Sequence, residues 1–145
     1  MNALAAAALA AGELICEFND GYRKSLLAEI AGDPPRTEMV LVFEQLSRSQ
    51  ARALSTARPG RRTAQVRATD ELLHLIERDG PSVRVTTLTG CTRTRWHAGG
   101  EVCTRFDARH AWHFDTAALI EPDASFRRQP SGAAIGSCEP WRIDP

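Results

Sequence analysis

Two histidines and two carboxylates lie within the nine residues from Asp107 to Asp115, a density that suggests metal binding or acid–base catalysis. If this run forms a β-strand, Asp107, His113 and Asp115 share one face and His110 lies on the other, because alternate side chains point to opposite sides. Only His113 and Asp115 are then close together, and two ligands are too few for a zinc site. We therefore expect no metal here, and keep a hydrolase-like enzyme using His113 with Asp115 or Asp107 as an alternative function.

Short motifs that build common catalytic and nucleotide sites are missing from the sequence. It contains no G-x-S-x-G, the turn that exposes a nucleophilic serine, and no G-x-x-x-x-G-K-[ST] phosphate loop. The run Arg23-Lys24-Ser25 lacks the glycines that would let the backbone surround a phosphate. We expect no cofactor, and a non-catalytic protein rather than an enzyme.

Arginine recurs on one face of two neighbouring segments, at Arg93, Arg95, Arg105 and Arg109. The forked guanidinium group suits carboxylates and phosphates, so this face is a candidate anion-binding surface. The alternative is a solvated surface whose like charges are relieved by Asp107 and Glu101. With the adjacent Trp112 and His113, the arginines are the predicted contacts to a small molecule or a protein partner, an acidic partner in particular.

A long hairpin would position these residues. Residues 82–96 are rich in Val and Thr, and alternation resumes over 101–115 after a glycine-rich break. A three-residue loop over 98–100 would pair His97 with Glu101 and place Arg93 opposite Arg105. In that register Trp96 faces Val102, and the core face carries Val102, Phe106, Ala108, Trp112 and Phe114.

The remaining segments complete a mainly β chain without β-α-β alternation. Strands are predicted at residues 13–18, 38–46 and 64–68, and 69–79 is read as a strand rather than a helix. A turn is predicted at Asn19-Asp20-Gly21 and a long basic loop at 47–63. The tail at 122–145 is predicted to be rich in loops and tied to the body by Cys138 and Trp141. The sequence does not decide between helix and strand for residues 22–30. We predict a small antiparallel β-barrel or sandwich around the central hairpin.

Four cysteines, Cys16, Cys91, Cys103 and Cys138, occur without zinc-binding spacing and predict disulfides. In the predicted register Cys91 and Cys103 are offset by four residues, roughly 13 Å at the usual strand rise, whereas a disulfide needs Cα atoms within about 7 Å. A Cys91–Cys103 bridge is therefore disfavoured, and Cys16 and Cys138 should each bridge to the hairpin. If residues 92–102 form an irregular loop instead, the pairs become Cys91–Cys103 and Cys16–Cys138.

The first eleven residues are almost entirely alanine and leucine, too few to span a bilayer but typical of the apolar part of a signal peptide. We interpret 1–10 as a signal-peptide remnant and 11–145 as a single β domain; an N-terminal helix is the alternative. The predicted location is periplasmic or secreted, without a transmembrane segment. The balance of 18 basic and 18 acidic residues disfavours nucleic acid as a partner.

Together these features predict an exported β-barrel that binds a small ligand or a partner protein and catalyses nothing. The rivals are the hydrolase-like enzyme and a structural protein of the cell envelope. Composition and spacing identify neither the ligand nor the oligomeric state.

Overall fold

The computed structural model describes residues 2–19, 37–56, 58–80, 82–114 and 132–141. Eight antiparallel strands form a closed barrel in which each strand pairs with the next along the chain, and the last pairs back with the first. The predicted mainly β class is confirmed, and the fold is the barrel. Its elements are α1 Ala3–Ala11, β1 Leu14–Asn19, β2 Thr37–Glu44, β3 Gln50–Ser55, β4 Arg58–Ala68, β5 Leu73–Asp79, β6 Ser82–His97, β7 Gly100–Phe114 and β8 Gly132–Pro140.

Strict alternation along the strands builds the barrel core. On β3, for example, Ala51 and Ala53 are buried while their neighbours face outward. Large side chains fill the interior, because an eight-stranded barrel is only wide enough to be packed by its own residues or to hold one small ligand. The bulkiest fully buried apolar residues are Phe18, Phe43, Phe106, Leu14, Leu41, Leu73, Leu75 and Leu88.

Helix α1 covers one end of this barrel. The Asn2 side chain caps it by accepting a hydrogen bond from the Ala5 amide (2.6 Å), and its amide nitrogen donates to the carbonyl of Leu72 (3.2 Å) between β4 and β5. Ala5 and Ala8 are fully buried against the core, because small side chains let the helix approach closely. The expected signal-peptide remnant is thus helical and packed; its removal on export stays a prediction.

The predicted hairpin is confirmed as β6 and β7, but its turn is shorter than expected. Ala98 and Gly99 have φ values of 50° and 83°, so a two-residue turn pairs His97 with Gly100 rather than Glu101. Arg93 still lies opposite Arg105, because irregularities in the ladder offset the difference. Trp96, by contrast, faces Glu101 instead of Val102 and is 73% exposed, so its expected place on the core face is wrong.

The disulfides correct the predicted pairing. Cys16 bonds to Cys138, its direct cross-strand neighbour, with Cα atoms 4.0 Å apart. Cys91 bonds to Cys103 across 6.0 Å, the bridge that the sequence disfavoured. Two bulges are the reason: the register shifts between Cys91 and Arg93 and again before Thr94, and bulges bend and twist a ladder. The expected strands are therefore present together with the pairing expected only for an irregular loop.

Two predicted loops are also strands. Residues 47–63 contain β3 and the start of β4, where outward-facing arginines masked an alternation carried only by alanines. In the expected loop-rich tail, β8 is built from glycine, alanine and serine, weak strand formers held in place by β1 and β7. Trp141 is 47% exposed, and its backbone amide donates a hydrogen bond to the Glu13 carbonyl.

The strand preferred over 69–79 is confirmed as β5. The undecided residues 22–30, the turn after Asn19, Asp115 and residues 122–131 lie outside the described residues. Within the described ranges no helix has the length and apolar character needed to cross a bilayer.

Candidate functional site

The barrel interior becomes polar at the end opposite α1. We call this polar end the mouth. Inward-facing positions that carry leucine, valine or alanine deeper in the barrel here carry charged, hydroxyl and imidazole groups. β4, β5, β6 and β7 each contribute to this mouth cluster, which consists of Arg62, Glu77, Arg84, Thr86, His110 and Trp112.

A buried ion pair forms one side of the mouth cluster. The Nε atom of Arg62 lies 3.0 Å from Oε1 of Glu77, whose side chain is only 2% exposed. Glu77 is also the direct cross-strand neighbour of Arg84. The second carboxylate oxygen of Glu77, Oε2, has no hydrogen-bond partner within the described ranges. One acceptor is therefore left open inside the barrel.

His110 forms the other side and is fully buried. Its Nδ1 lies 2.9 Å from the Thr86 hydroxyl, and its ring contacts Phe18 and Trp112, with ring centroids 5.3 and 5.9 Å away. Burial, together with the positive charge of Arg84, lowers the pKa of His110 to about 4. The imidazole is thus neutral at pH 7, and its Nε2 has no partner among the residues described.

The predicted site residues divide between two surfaces. Trp112 points inward and belongs to the mouth, whereas His113 and the four arginines face outward or lie on the hairpin extension. His110 lies on the face opposite Asp107 and His113, as predicted. Asp107 and His113 are six residues apart on β7, roughly 20 Å at the usual rise, so these two do not form a catalytic pair.

Beyond its pairs with β5 and β8, the hairpin continues as a two-stranded arm, residues 89–105. Leu88 is the last residue of β6 paired with β5, and Phe106 is the first residue of β7 paired with β8. Arg93, Arg95 and Arg105 lie on this arm. No carboxylate in the described part of the chain lies within 4.0 Å of these guanidinium groups.

At the base of the arm lies an outer groove of about 380 Å³ on the wall of β1, β7 and β8. Arg105 and Arg109 line it, so two of the four predicted arginines meet there. Glu17, Asp107, Ile135 and Ser137 complete its polar and apolar walls. Gly136 lies at its floor, where a β-carbon would overlap the carbonyl oxygen of Glu17. The groove thus offers positively and negatively charged side chains and one exposed aliphatic side chain.

Sequence reasoning missed the mouth cluster apart from Trp112. Glu77 continues the inward-facing series Leu73 and Leu75 of β5. A charged residue in such an apolar series is unusual, and it is the sequence signal that could have indicated a polar site. The pairing of β5 with β4 and β6 brings Glu77 near Arg62 and Arg84.

Among the described residues, no group of three histidine, cysteine or acidic side chains could hold a metal ion. The candidate sites are therefore the mouth and the outer wall with its arm. No family model matches the chain, and no curated protein or solved structure matches it either.

Proposed function

We propose that this protein is an exported, non-catalytic binding protein that holds a small polar ligand in the mouth of its barrel. The observation that carries the proposal is the pair of open polar atoms, Glu77 Oε2 and His110 Nε2, on side chains that are almost completely buried. An unsatisfied buried polar group costs about 1–3 kcal/mol. A ligand that fills these hydrogen bonds would recover that free energy on binding.

The cluster restricts the chemistry of the ligand. Glu77 Oε2 can only accept, so the ligand needs a hydroxyl or N–H donor. The neutral His110 ring offers Nε2 as donor or acceptor, according to the direction of its hydrogen bond with Thr86. Trp112 is only partly buried, and its indole would supply the contact to an apolar part of the ligand. A small hydroxylated or amine-bearing molecule satisfies all three, and barrel mouths are common binding sites.

Binding is favoured over catalysis by the same histidine. A general base works best when its pKa lies near the operating pH, and a pKa of about 4 makes His110 a weak base at pH 7. The hydroxyl of Thr86 lies beside it, but both groups sit in the barrel wall as cross-strand neighbours. Their hydrogen bond satisfies the Thr86 hydroxyl and His110 Nδ1, which would otherwise be buried without partners, so the pair needs no catalytic role to explain it.

Export is supported by the two disulfides, which persist in oxidising compartments, and by the alanine-rich N-terminal run. N-terminal sequencing of the protein recovered from the periplasm or medium tests this. A product starting near residue 11 supports a cleaved signal, and one retaining α1 supports a helix that belongs to the barrel. A cytosolic product with reduced cysteines contradicts export.

Protein-observed NMR titrations with a library of monosaccharides, polyols and amino alcohols test the mouth. Compounds that bind should shift the Trp112 indole resonance, and Glu77→Gln should weaken binding about tenfold, the effect of losing one charged hydrogen bond of about 1.4 kcal/mol. Glu17→Gln, the same change on the outer wall, is the matched control and should leave affinity unchanged. Hits that perturb only outer-wall resonances would contradict the mouth as the site.

A further inference from the structure

Both strand edges of the arm are unpaired among the described residues, because beyond the barrel β6 and β7 pair only with each other. Such edges are ready templates for pairing with another strand, and an isolated two-stranded ribbon is marginally stable in water. The arm therefore gains stability if a further surface covers it.

Two features hold the arm in shape before anything covers it. The Cys91–Cys103 disulfide crosses the arm near its base, and the two-residue turn at Ala98 and Gly99 closes its tip. A rigid element loses less conformational entropy on binding than a flexible one. The arm is therefore preorganised for contact with a partner.

The arginines of the arm, Arg93, Arg95 and Arg105, have no ion-pair partner in the described part of the chain. Arg93 faces Arg105 directly, an arrangement that destabilises a strand pair. Trp96 near the tip is 73% exposed, the most exposed large apolar side chain among the described residues. Tryptophan and arginine are the residue types that most often dominate the energy of protein interfaces.

The outer wall of the same chain offers what the arm lacks. It carries the exposed aliphatic Ile135 and three exposed carboxylates, Glu17, Asp107 and Glu139, which outnumber the two arginines of the groove, Arg105 and Arg109. Its groove of about 380 Å³ falls within the size range of pockets that enclose small organic groups, which includes an indole.

The position of the groove suits a two-fold arrangement. Because the groove lies at the base of the arm, two arms running antiparallel bring each tip to the base of the other. In a two-fold dimer one surface meets the same surface of the partner, so matching strand edges also meet antiparallel. A net charge of zero leaves no overall repulsion between copies.

We infer that two copies of this chain associate by exchanging their arms, with Trp96 of each copy in the outer groove of the other and the arm arginines beside the wall carboxylates. The mouth cluster lies at the opposite end of β6 and β7, so the proposed contacts do not involve its residues. A lipid surface fits less well, because Glu101 lies directly opposite Trp96 and would meet anionic headgroups.

Sedimentation equilibrium of the full chain over a range of concentrations tests this inference. The mass should rise with concentration from 15.9 kDa toward twice that value, and added salt should oppose the rise. Trp96→Ala should weaken the dimer at least about tenfold, as loss of an interface anchor does, and Arg95→Glu should weaken it too. Arg67→Glu, an exposed charge reversal on β4, is the matched control and should have no effect.

Hydrogen exchange gives a second readout, since the arm amides should become protected only at dimer-forming concentrations. Non-reducing peptide maps establish that each variant keeps both disulfides. A monomer at every concentration overturns the inference, as does a dimer indifferent to Trp96→Ala and Arg95→Glu. A monomer that binds phosphatidylglycerol vesicles through Trp96 assigns the arm to lipid and overturns it as well.

Discussion

The two ends of the barrel use the same strand alternation for different purposes. At the α1 end the inward positions carry apolar residues, among them Leu14, Phe43 and Phe106, and the helix covers them. At the mouth the equivalent positions carry an ion pair and a hydrogen-bonded histidine. Burial of apolar area stabilises the first end, whereas desolvation of polar groups opposes folding at the second. This contrast is the basis of the proposal that the mouth binds a ligand.

Removing the disulfides separately compares the barrel body with the arm and should give the largest effects. By chain entropy, the Cys16–Cys138 bridge, spanning 122 residues, stabilises by about 5 kcal/mol, and Cys91–Cys103, spanning 12, by about 3 kcal/mol. Urea unfolding of the double variants Cys16→Ala/Cys138→Ala and Cys91→Ser/Cys103→Ser measures the loss of unfolding free energy for each bridge. A larger loss from the arm pair would show that the arm is integral to the barrel fold.

Truncating one aromatic residue at each end tests the contrast directly. Phe106→Ala removes a fully buried ring near α1 and should lower the free energy of unfolding by about 3–5 kcal/mol. Trp112→Ala at the mouth should lower it less, because that ring is partly exposed and leaves a smaller buried cavity. Equal losses in denaturant titrations would mean that the mouth is packed as tightly as the closed end.

Acid should destabilise the mouth through His110. The folded-state pKa of about 4 lies below the unfolded value of 6.5, so the unfolded chain binds the proton first. The stabilisation is complete above pH 6.5, declines as the pH falls and is lost below pH 4, a change of about 3 kcal/mol.

Unfolding measured at several pH values checks this decline, and His110→Phe should flatten it. His113→Phe, an exposed neighbour on β7, is the control and should leave the decline in place. A pH dependence that survives His110→Phe would assign it to other groups.

The smallest expected effect concerns the attachment of α1. Asn2→Ala removes the N-cap and the hydrogen bonds to the β4–β5 turn and should cost about 1 kcal/mol. Asn2→Asp keeps the oxygen that caps the helix but loses the amide group that donates to the β4–β5 turn. It therefore separates the contribution of the cap from that of the hydrogen bonds to the turn. If neither substitution changes the unfolding midpoint, the helix is held by the packing of its apolar side chains.

Local patterning by itself determined the mainly β class, the extent of the central hairpin and the opposite faces of His110 and His113. These properties follow from the two-residue period of a strand, which needs no knowledge of distant contacts. The pattern failed where alanine replaced larger residues, as in β3, and where small residues form a strand only between two neighbours, as in β8.

The tertiary structure alone decided the disulfide pairing and the composition of the mouth. Turn type and bulges set the register of β6 on β7, and a shift of one residue changes which cysteines can meet. Consecutive pairing of β4, β5, β6 and β7 places Arg62, Glu77 and His110 at one end of the sheet. Such proximity depends on the strand order and register of the whole sheet, which short-range patterning does not specify.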